Sequence, residues 1–453
     1  MSERLFFSDP VLGSIFFEGI ESRLINSAEL NRLKHIKQLA TAYIFFPFAI
    51  HTRFHHSIGV SHLTKQFLSS LPVEITSLIS FEDRKRVACA ALLHDIGHSA
   101  WGHAGEIFVS FIGSNIHHES MSKDLLIEGD KYDEYFSDWN LERLYDIIPD
   151  KKERALIAKP IVGEPLIDSS KYNNITDEEE KINAMTKDEN ELRFLSQLIN
   201  SYSDFDRIEY LLRDSFFTGV FRPPFCTGDI FPRLGIKNIH QQNQLCYLDR
   251  NFGESLTLAR EIMYASVYSH EGVLLTEEML GRAWVELYNS DAINQDINKL
   301  WFSTDSQILE MLKNSRLEFS QFVYNSINSG KTYEIIEYKI LSDLDENIRD
   351  VLKKLNEKRD ELLEIEQKAV EGVAKKGDLI LGLYIKKDPK EMNAIFVNYD
   401  GKLKLLGESE IIKPLSHEDY VNQRSKFIIG VKENISSDKK SELVENVYRC
   451  LTN

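Results

Sequence analysis

Apolar residues fill every position from Val87 to Leu93, and a helix that is hydrophobic all round is a buried one. The pattern from Phe81 to Gly97 therefore predicts a central helix, with Gly97 or Gly102 as its stop. Upstream, Leu24, Ile25, Leu30, Leu33, Ile36 and Leu39 recur at helical spacing with Arg23, Arg32, Lys34 and Lys37 between them. That spacing predicts a helix over residues 22–39, and Phe45-Phe46-Pro47 closes the unit. His51 to Leu68 reads as another helix, placing Arg53, His56 and Val60 on one face at i, i+3 and i+7. Ahead of both, residues 9–20 read as a turn leading into short β-type segments. Helical patterns continue to about Ile157. Residues 160–190, rich in Pro, Asn, Asp and Glu and carrying the run TDEEEK, read as a solvated excursion or mobile loop. A helix resumes from Asn190 to Arg213, and Asp214 to Asp229 forms an irregular aromatic, Pro/Gly-rich loop. Asn251–His270 and Thr276–Tyr288 are amphipathic helices.

From Ser342 the pattern changes. Leu344, Ile348, Val351, Leu355, Leu362, Ile365 and Ala369 form a heptad-like seam interrupted by Lys358. It falls short of the three to four sustained heptads of a free coiled coil, so it is assigned to a long helix packed on its own domain or on a neighbouring subunit. LILGLYI (379–385), AIFVNYDGKLKLL (394–406) and KFIIGV (426–431) read as strands, with Asp400-Gly401 as a hairpin turn, and Ser437 to Leu451 closes the chain as a helix. The chain thus reads as mainly α, with a helical core over residues 1–330 and a smaller α+β C-terminal region over residues 331–453. The latter would be oligomer-contacting or regulatory.

With 453 residues the chain suits a large domain plus a smaller one. Its formal net charge of -17 argues against non-specific wrapping of nucleic acid, which needs a basic face, but leaves room for one basic cleft. The cysteines Cys89, Cys226, Cys246 and Cys450 are scattered, which disfavours a disulfide framework or a structural zinc ribbon. The start, Met-Ser-Glu-Arg, lacks the features of a signal peptide. The apolar run Leu39–Ile50 is short and contains Pro47, so no membrane span is expected and the cytoplasm is the expected compartment.

The central helix ends in an unusual way: His94, Asp95, His98 and His103 follow its apolar run directly. Burying unpaired polar groups costs free energy, and a metal ion would supply the missing partner for imidazole and carboxylate. Nine of the thirteen histidines (His51, His55, His56, His62, His94, His98, His103, His117 and His118) lie within one stretch, a concentration that favours a site over scattered structural roles. A hydrolytic metal centre also wants a second carboxylate from elsewhere. YSDFDRIEYLLRD offers one: Asp206, Tyr210 and Asp214 stand at i, i+4 and i+8, with Arg207 and Arg213 nearby. Asp204 lies two residues away on a different helical face.

"HTRFHHSIG", "LLHDIGHSAWGHAGE", "HHES" and "DFDRIEYLLRDSFFTGV" closely resemble the HD-domain dNTP triphosphohydrolases, and "NRLKHIKQLATAYIFFP" resembles the segment before their first histidine. The resemblance covers about residues 8–290 and, more loosely, the β-containing C-terminal part. It implies an HD-domain helical core in which His56, His94, Asp95 and Asp206 bind a divalent metal. That metal would be Mg²⁺ or Mn²⁺, with Fe, Zn, Co and Ni as alternatives. Arg53 would hold a phosphate; His98, His103 and His118 would face the α-phosphate, and one of them, His103 as first choice, would protonate the departing 5′-oxygen. Arg207, Tyr210, Asp214, Arg260 and Tyr268 would line the nucleotide pocket, with Gln38 near the deoxyribose. The implied reaction turns a dNTP and water into a deoxynucleoside and triphosphate, in dNTP-pool control or anti-phage defence. The implied partners are the dNTP, an allosteric nucleotide and further copies of the chain, most simply a tetramer. Two departures stand out. His55 replaces a glutamate of the family's pattern, and Asn26, Asn31 and Lys34 replace the Asp, Gln and Arg that read an activating guanine nucleotide in the animal enzyme. The competing readings are another HD nucleotide phosphohydrolase or phosphodiesterase, and a catalytically silent nucleotide-sensing regulator.

Overall fold

The computed structural model describes residues 4–291, 293–386, 395–397, 402–405 and 417–452. It is mainly helical, with small sheets at its edges. The chain opens with an antiparallel hairpin, β1 (Leu5–Asp9) and β2 (Gly13–Phe17). Asp9 closes its turn by accepting from the amides of Val11 and Leu12 at 2.8 and 2.9 Å. The single helix expected over residues 22–39 is broken into α1 (Ile20–Ile25), α2 (Ala28–Arg32) and a 3₁₀ turn at Leu33–His35. Ser27 causes the break: its hydroxyl caps α2 by accepting from Leu30 N–H. The Asn31 side-chain amide donates to Ile25 O, a carbonyl that a continuous helix would have used, and also to Ser27 O.

α3 (Arg53–Ser70) and α4 (Phe81–Leu93) pack side by side through the main hydrophobic core. α4 stops four residues before Gly97, because the next backbone groups are taken by neighbours. Ser122 Oγ donates to His94 O at 2.6 Å and accepts from Gly97 N–H at 2.9 Å. Arg32 donates to Ile96 O at 3.0 Å and also to His98 O. Trp301 donates to Gly97 O at 2.8 Å. A Cβ on Gly97 would overlap the backbone of His118 to Ser122, so glycine is required there by close approach. The loop thus pinned leads into α5 (His103–Phe111) and α6 (His118–Ile127).

After α7 (Lys151–Ile161), the stretch 160–190 departs from expectation, since Glu178–Gln197 forms helix α8. Asp177 caps it by accepting from Glu180 N–H at 2.7 Å. The acidic run TDEEEK is its first turn, where negative charge meets the positive end of the helix dipole. The helix expected over Asn190–Arg213 is likewise two: α8 ends, and α9 (Phe205–Thr218) starts afresh at an Asp204 cap. Gly219, at φ +67°, ends α9, so the irregular loop begins there rather than at Asp214. A hairpin that the sequence pattern did not reveal follows, β3 (Leu234–Ile239) and β4 (Gln242–Tyr247). α10 (Arg250–Met263) runs into a π-helical turn at Tyr264–Tyr268, and α11 (Glu271–Tyr288) comes next.

The C-terminal region builds a second core on an antiparallel sheet ordered β5 (Glu334–Ile340), β9 (Lys426–Val431), β6 (Leu379–Tyr384). The seam is not one long helix. It divides at Lys358 into α12 (Glu346–Glu357) and α13 (Arg359–Val370), and both pack on this sheet with the last helix, Ser437–Thr452. The strand expected over 394–406 is seen as β7 (Ile395–Val397) and β8 (Leu403–Leu405), which extend the β3–β4 hairpin; the turn Asp400-Gly401 lies outside the described residues. The second core is bolted to α11 by a buried quartet. Arg282 donates to Glu278 at 3.0 Å and to Glu366 at 2.6 Å, and Arg359 donates to Glu278 at 2.5 Å. Loss of one partner from such a set costs about 3–5 kcal/mol, because it strands a buried charge. Among the described residues no helix is long and apolar enough to cross a membrane.

Candidate active site

Three helices bring the four expected metal ligands to one point. His56 comes from α3, His94 and Asp95 from the end of α4, and Asp206 from the first turn of α9. His56 Nε2 lies 2.9 Å from Asp206 Oδ1 and 3.3 Å from His94 Nε2. His94 Nε2 in turn lies 3.4 Å from Asp95 Oδ1 and 3.7 Å from Asp206 Oδ1. Two imidazole nitrogens aimed at each other between two carboxylates is the arrangement a shared cation satisfies. The far side of each ring is already engaged, which fixes which nitrogen faces inward: His56 Nδ1 meets Glu209 Oε2 at 2.6 Å, and His94 Nδ1 meets Ala91 O at 2.9 Å. Two nitrogens and two carboxylate oxygens form a donor set suited to a divalent metal.

Electrostatics agree. Burial works against an imidazolium at His56, yet hydrogen bonds to Asp206 and Glu209 hold its pKa up to about 10. Burial also opposes charge at His94, but Asp95 and Asp206 still raise its pKa. Asp95 and Asp206 resist burial in the same way and stay well below the usual carboxylate range, through His98, His94 and Arg53 for the first and His56 and His94 for the second. The carboxylates thus favour positive charge beside the two rings, and binding a metal there would require both imidazoles to be neutral.

The support behind the ligands was not legible in the sequence. Glu209 is fully buried and clamped by Arg213, which donates to it at 2.7 Å and pairs with Asp9 at 2.9 Å. Gly59 on α3 makes room, since a Cβ there would overlap the Glu209 carboxylate. Glu209 does stand at i+3 from Asp206, one turn along the same face, and that spacing was the available signal. Asp204, by contrast, is the cap of α9: it accepts from the amides of Ser201 and Arg207 at 2.8 Å each, which occupies both carboxylate oxygens.

Around this point the other expected residues divide into groups. Arg53 donates to Asp95 Oδ2 at 2.8 Å. His98 Nε2 lies 3.3 Å from Asp95 Oδ1, and its ring stacks on His118 at 3.8 Å between centroids; with Asp95 the two could also hold a cation. Burial, Arg53 and His118 push the His98 pKa well down, so this ring is neutral. Glu106 Oε2 lies 3.1 Å from His103 Nδ1, and its Oε1 lies 3.6 Å from His118 Nδ1. The His103 side chain is 71% accessible and lies on the lining of a cavity. Desolvation there opposes its charge, but Glu106, with Glu277 behind, raises its pKa to about 9.

Gln38, Arg53, His103 and Tyr268 line one cavity, together with Leu39, Ala40, Val267, Val273 and Glu277. Arg207 lines a second cavity, with His94, Asp95, His118 and Asp206. Tyr210 links the two ends, 6.4 Å from the His56 ring and 6.1 Å from the Tyr268 ring. Asp214 and Arg260 are not among the residues lining either cavity. Asp214 is buried behind the wall, accepting from Tyr268 OH at 2.7 Å, with His51 Nε2 2.7 Å from its other oxygen. Arg260 reaches Tyr264 OH at 3.4 Å. Sequence reasoning missed Glu277, a buried carboxylate on the cavity wall whose pKa burial raises to about 7. His55, the departure from the family's pattern, turns away from the ligands and caps its own helix through Thr52.

Residues 53–192 match the HD domain family, and residues 244–431 match the HD associated region. The chain carries an HD domain. The matched HD segment starts at the first residue of α3 and holds His56, His94 and Asp95, while Asp206 lies beyond it. The chain is 26% identical over 449 residues to the deoxynucleoside triphosphate triphosphohydrolase SAMHD1 homolog of Dictyostelium discoideum, covering 94% of this chain and 76% of that protein. It is 27% identical over 326 residues to an uncharacterized protein of Mycoplasma genitalium, covering 69% of this chain and 67% of that one. Among solved structures, a hypothetical protein from Aquifex aeolicus matches with a TM-score of 0.67 at 22% identity, covering 97% of this chain and all of that one. A phosphohydrolase from Bacteroides thetaiotaomicron matches with a TM-score of 0.64 at 19% identity, covering 95% of this chain and all of that one. At these identities the structural likeness shows a shared fold alone.

Proposed function

We propose that the protein is a metal-dependent dNTP triphosphohydrolase, converting a dNTP and water into a deoxynucleoside and triphosphate. One observation carries this reading: His56, His94, Asp95 and Asp206 converge on a single point, and a cavity lined by Arg53, His103, Gln38 and Tyr268 opens beside it. The likeness to a curated dNTP triphosphohydrolase over nearly the whole chain supports it. When bound, the divalent metal would supply an activated water and polarise the α-phosphate. His56, His94, Asp95 and Asp206 would hold it, with Mg²⁺ or Mn²⁺ the ions to try first.

The chain's own residues do the rest. Arg53, held by Asp95, offers its remaining N–H groups to a phosphate oxygen. His98 is neutral, and at its ring edge it presents a hydrogen-bonding nitrogen without adding charge next to the ion. As the oxygen of water bonds to the α-phosphorus, the bond from that phosphorus to the 5′-oxygen breaks. The alkoxide leaving group needs a proton, and His103, protonated at neutral pH, donates it from the cleft. Tyr268 stands on the nucleoside side with its own proton committed to Asp214, so it meets a sugar hydroxyl as an acceptor.

Regulation and assembly belong to the same proposal. Lys34 donates to Asn31 Oδ1 at 2.6 Å, and Asn26 donates to Ser22 O at 3.1 Å, so these positions are engaged locally. Control through a guanine-reading site of the animal type is therefore not expected, and any allosteric nucleotide would be read elsewhere. We expect a cytoplasmic homo-tetramer, which light scattering with and without nucleotide would test.

The deciding experiment incubates the purified protein with each dNTP and Mg²⁺ or Mn²⁺ and separates the phosphate products by ion exchange. Inorganic triphosphate from at least one dNTP is expected. Pyrophosphate or monophosphate alone would make the protein a different HD phosphohydrolase, and tight nucleotide binding without turnover would make it a sensor.

A further inference from the structure

The turn of the N-terminal hairpin reaches the metal end of the cleft. Asp9, the last residue of β1, divides its carboxylate between two tasks. Oδ1 accepts from the amides of Val11 and Leu12 and so closes the turn. Oδ2 lies 2.9 Å from an NH₂ group of Arg213 on α9. The same NH₂ group lies 2.6 Å from Glu209 Oε1, and Arg213 Nε donates to that oxygen at 2.7 Å. The other oxygen of Glu209 meets His56 Nδ1 at 2.6 Å. A continuous line thus runs Asp9–Arg213–Glu209–His56, and none of its side chains is more than 3% accessible.

The charges along this line do not balance. Two carboxylates, Asp9 and Glu209, face one guanidinium, which leaves an excess of one negative charge where water does not reach. Burial opposes the charge of Arg213, yet Glu209 and Asp9 raise its pKa, so the guanidinium stays charged. The neighbouring titratable groups supply no further cation. Burial, Arg213 and His51 push the His55 pKa down, and burial and Lys65 do the same to His62, so both rings are neutral at pH 7. His51 is engaged by Asp214, and Lys65 by Glu21 at 2.9 Å. In a low-dielectric interior an unbalanced charge acts over several ångströms. The ring of His56 carries it to Nε2, which faces Asp206 and His94 at the position of the ion.

A carboxylate behind a ligating imidazole orients the ring and makes its inward nitrogen a better donor. Arg213 works against that effect, because it draws the charge of Glu209 towards itself. Asp9 takes up part of the guanidinium and leaves Glu209 to His56. The hairpin is seated without help from this pair: Phe7 packs edge-on against Phe54 of α3 at 6.1 Å, and Phe17 is fully buried.

We propose that Asp9 is a positioning residue for the metal site: by sharing Arg213 it keeps the Glu209 carboxylate committed to His56, so that the N-terminal hairpin sets how tightly the cage holds its ion. The inference rests on the metal-ligand reading above.

The test titrates Mn²⁺ into the full chain in competition with a chelator, each variant at a temperature where circular dichroism shows it folded. Asp9→Asn keeps an oxygen for the turn amides and removes the charge. Its Mn²⁺ dissociation constant should rise about three- to tenfold, less than the 10–100-fold of a partner in direct contact with a ligand. Asp9→Asn combined with Arg213→Gln removes both charges and leaves that of Glu209 wholly to His56. Affinity should then return to within about threefold of the unmodified chain, because the excess negative charge is restored. A merely structural role predicts the reverse order, with the double variant weaker than the single one. Unchanged affinity in a folded Asp9→Asn, or a double variant weaker than Asp9→Asn, overturns the proposal. If Asp9→Asn is folded at no temperature suited to the titration, Asp9→Glu decides: affinity within about threefold of the unmodified chain supports the proposal, and a deeper loss overturns it. In those cases an unmodified chain that binds Mn²⁺, and loses it in His56→Ala, leaves the metal-ligand reading standing. An unmodified chain that binds no Mn²⁺ removes both.

Discussion

The two ends of the cleft are built on different principles. At the proposed metal end three of the four ligands have a second partner: Glu209 behind His56, the Ala91 carbonyl behind His94, Arg53 on Asp95. Behind Glu209 stand Arg213 and Asp9, so the bracing runs two residues deep. At the end proposed for the nucleoside, Leu39, Ala40, Val267, Tyr268 and Val273 form an apolar and aromatic wall, and burial leaves Glu277 there near its titration point. A braced cage fixes geometry and tolerates little change. A compliant wall sets preference, and its substitutions shift selectivity before they stop the reaction.

The largest expected effect is at the cage. Asp206→Ala should abolish turnover and metal content together, with the melting temperature little lowered, as measured by elemental analysis and calorimetry on the same sample. Retained metal and rate would break the assignment of Asp206. At the junction of the two ends, His103→Asn should lower kcat by about 10²–10⁴, the span typical of a lost general acid. The pH profile carries the sign. Because the folded pKa of His103 is raised to about 9, the protonated form prevails through neutral pH and is lost as pH rises through that value. In the unmodified chain kcat should fall on that alkaline limb, and in His103→Asn the limb should be gone.

Behind the cage, Glu209→Gln should weaken metal affinity about 10–100-fold, as loss of a supporting carboxylate does. A chelator competition assay would measure it, and an unchanged affinity would show that the bracing is structural only. The smallest effect belongs to the far wall. Burial raises Glu277 to about 7, so its carboxyl is mostly neutral below that pH and charged above it. The KM for dNTP should therefore vary between pH 6 and 8, and Glu277→Gln should flatten that variation while changing kcat at pH 6 by less than about threefold, a small effect for a group outside the cage. A variant whose KM retains the same pH dependence would remove Glu277 from the pocket's chemistry.

The sequence revealed the cage better than its supports. His94 and Asp95 stand out because imidazole and carboxylate after a run of apolar residues have no structural reason to be there, while His56 was reached through the concentration of histidines and the family resemblance. Asp206 was legible from its place one turn from Tyr210. The supporting role of Glu209 and Arg213 was visible only as spacing along one helix, and Asp9 was not visible at all, because a buried ion pair between segments about two hundred residues apart leaves no local pattern. The fold shows the same division. Long apolar periodicities gave α3 and α4 closely, but side-chain caps override periodicity, and Ser27, Asp177 and Asp204 each start a helix where the pattern reads on or reads as loop. Strands β3, β4 and β5 escaped because their alternation is short and mixed with polar residues.

The central claim is that water attacks the α-phosphorus at the cage and that triphosphate leaves whole. It is tested most directly by running the reaction in ¹⁸O-labelled water and reading the products by mass spectrometry. One ¹⁸O atom in the released triphosphate and none in the deoxynucleoside is the predicted result. Label in the deoxynucleoside, or label in monophosphate or pyrophosphate with no triphosphate formed, would contradict it.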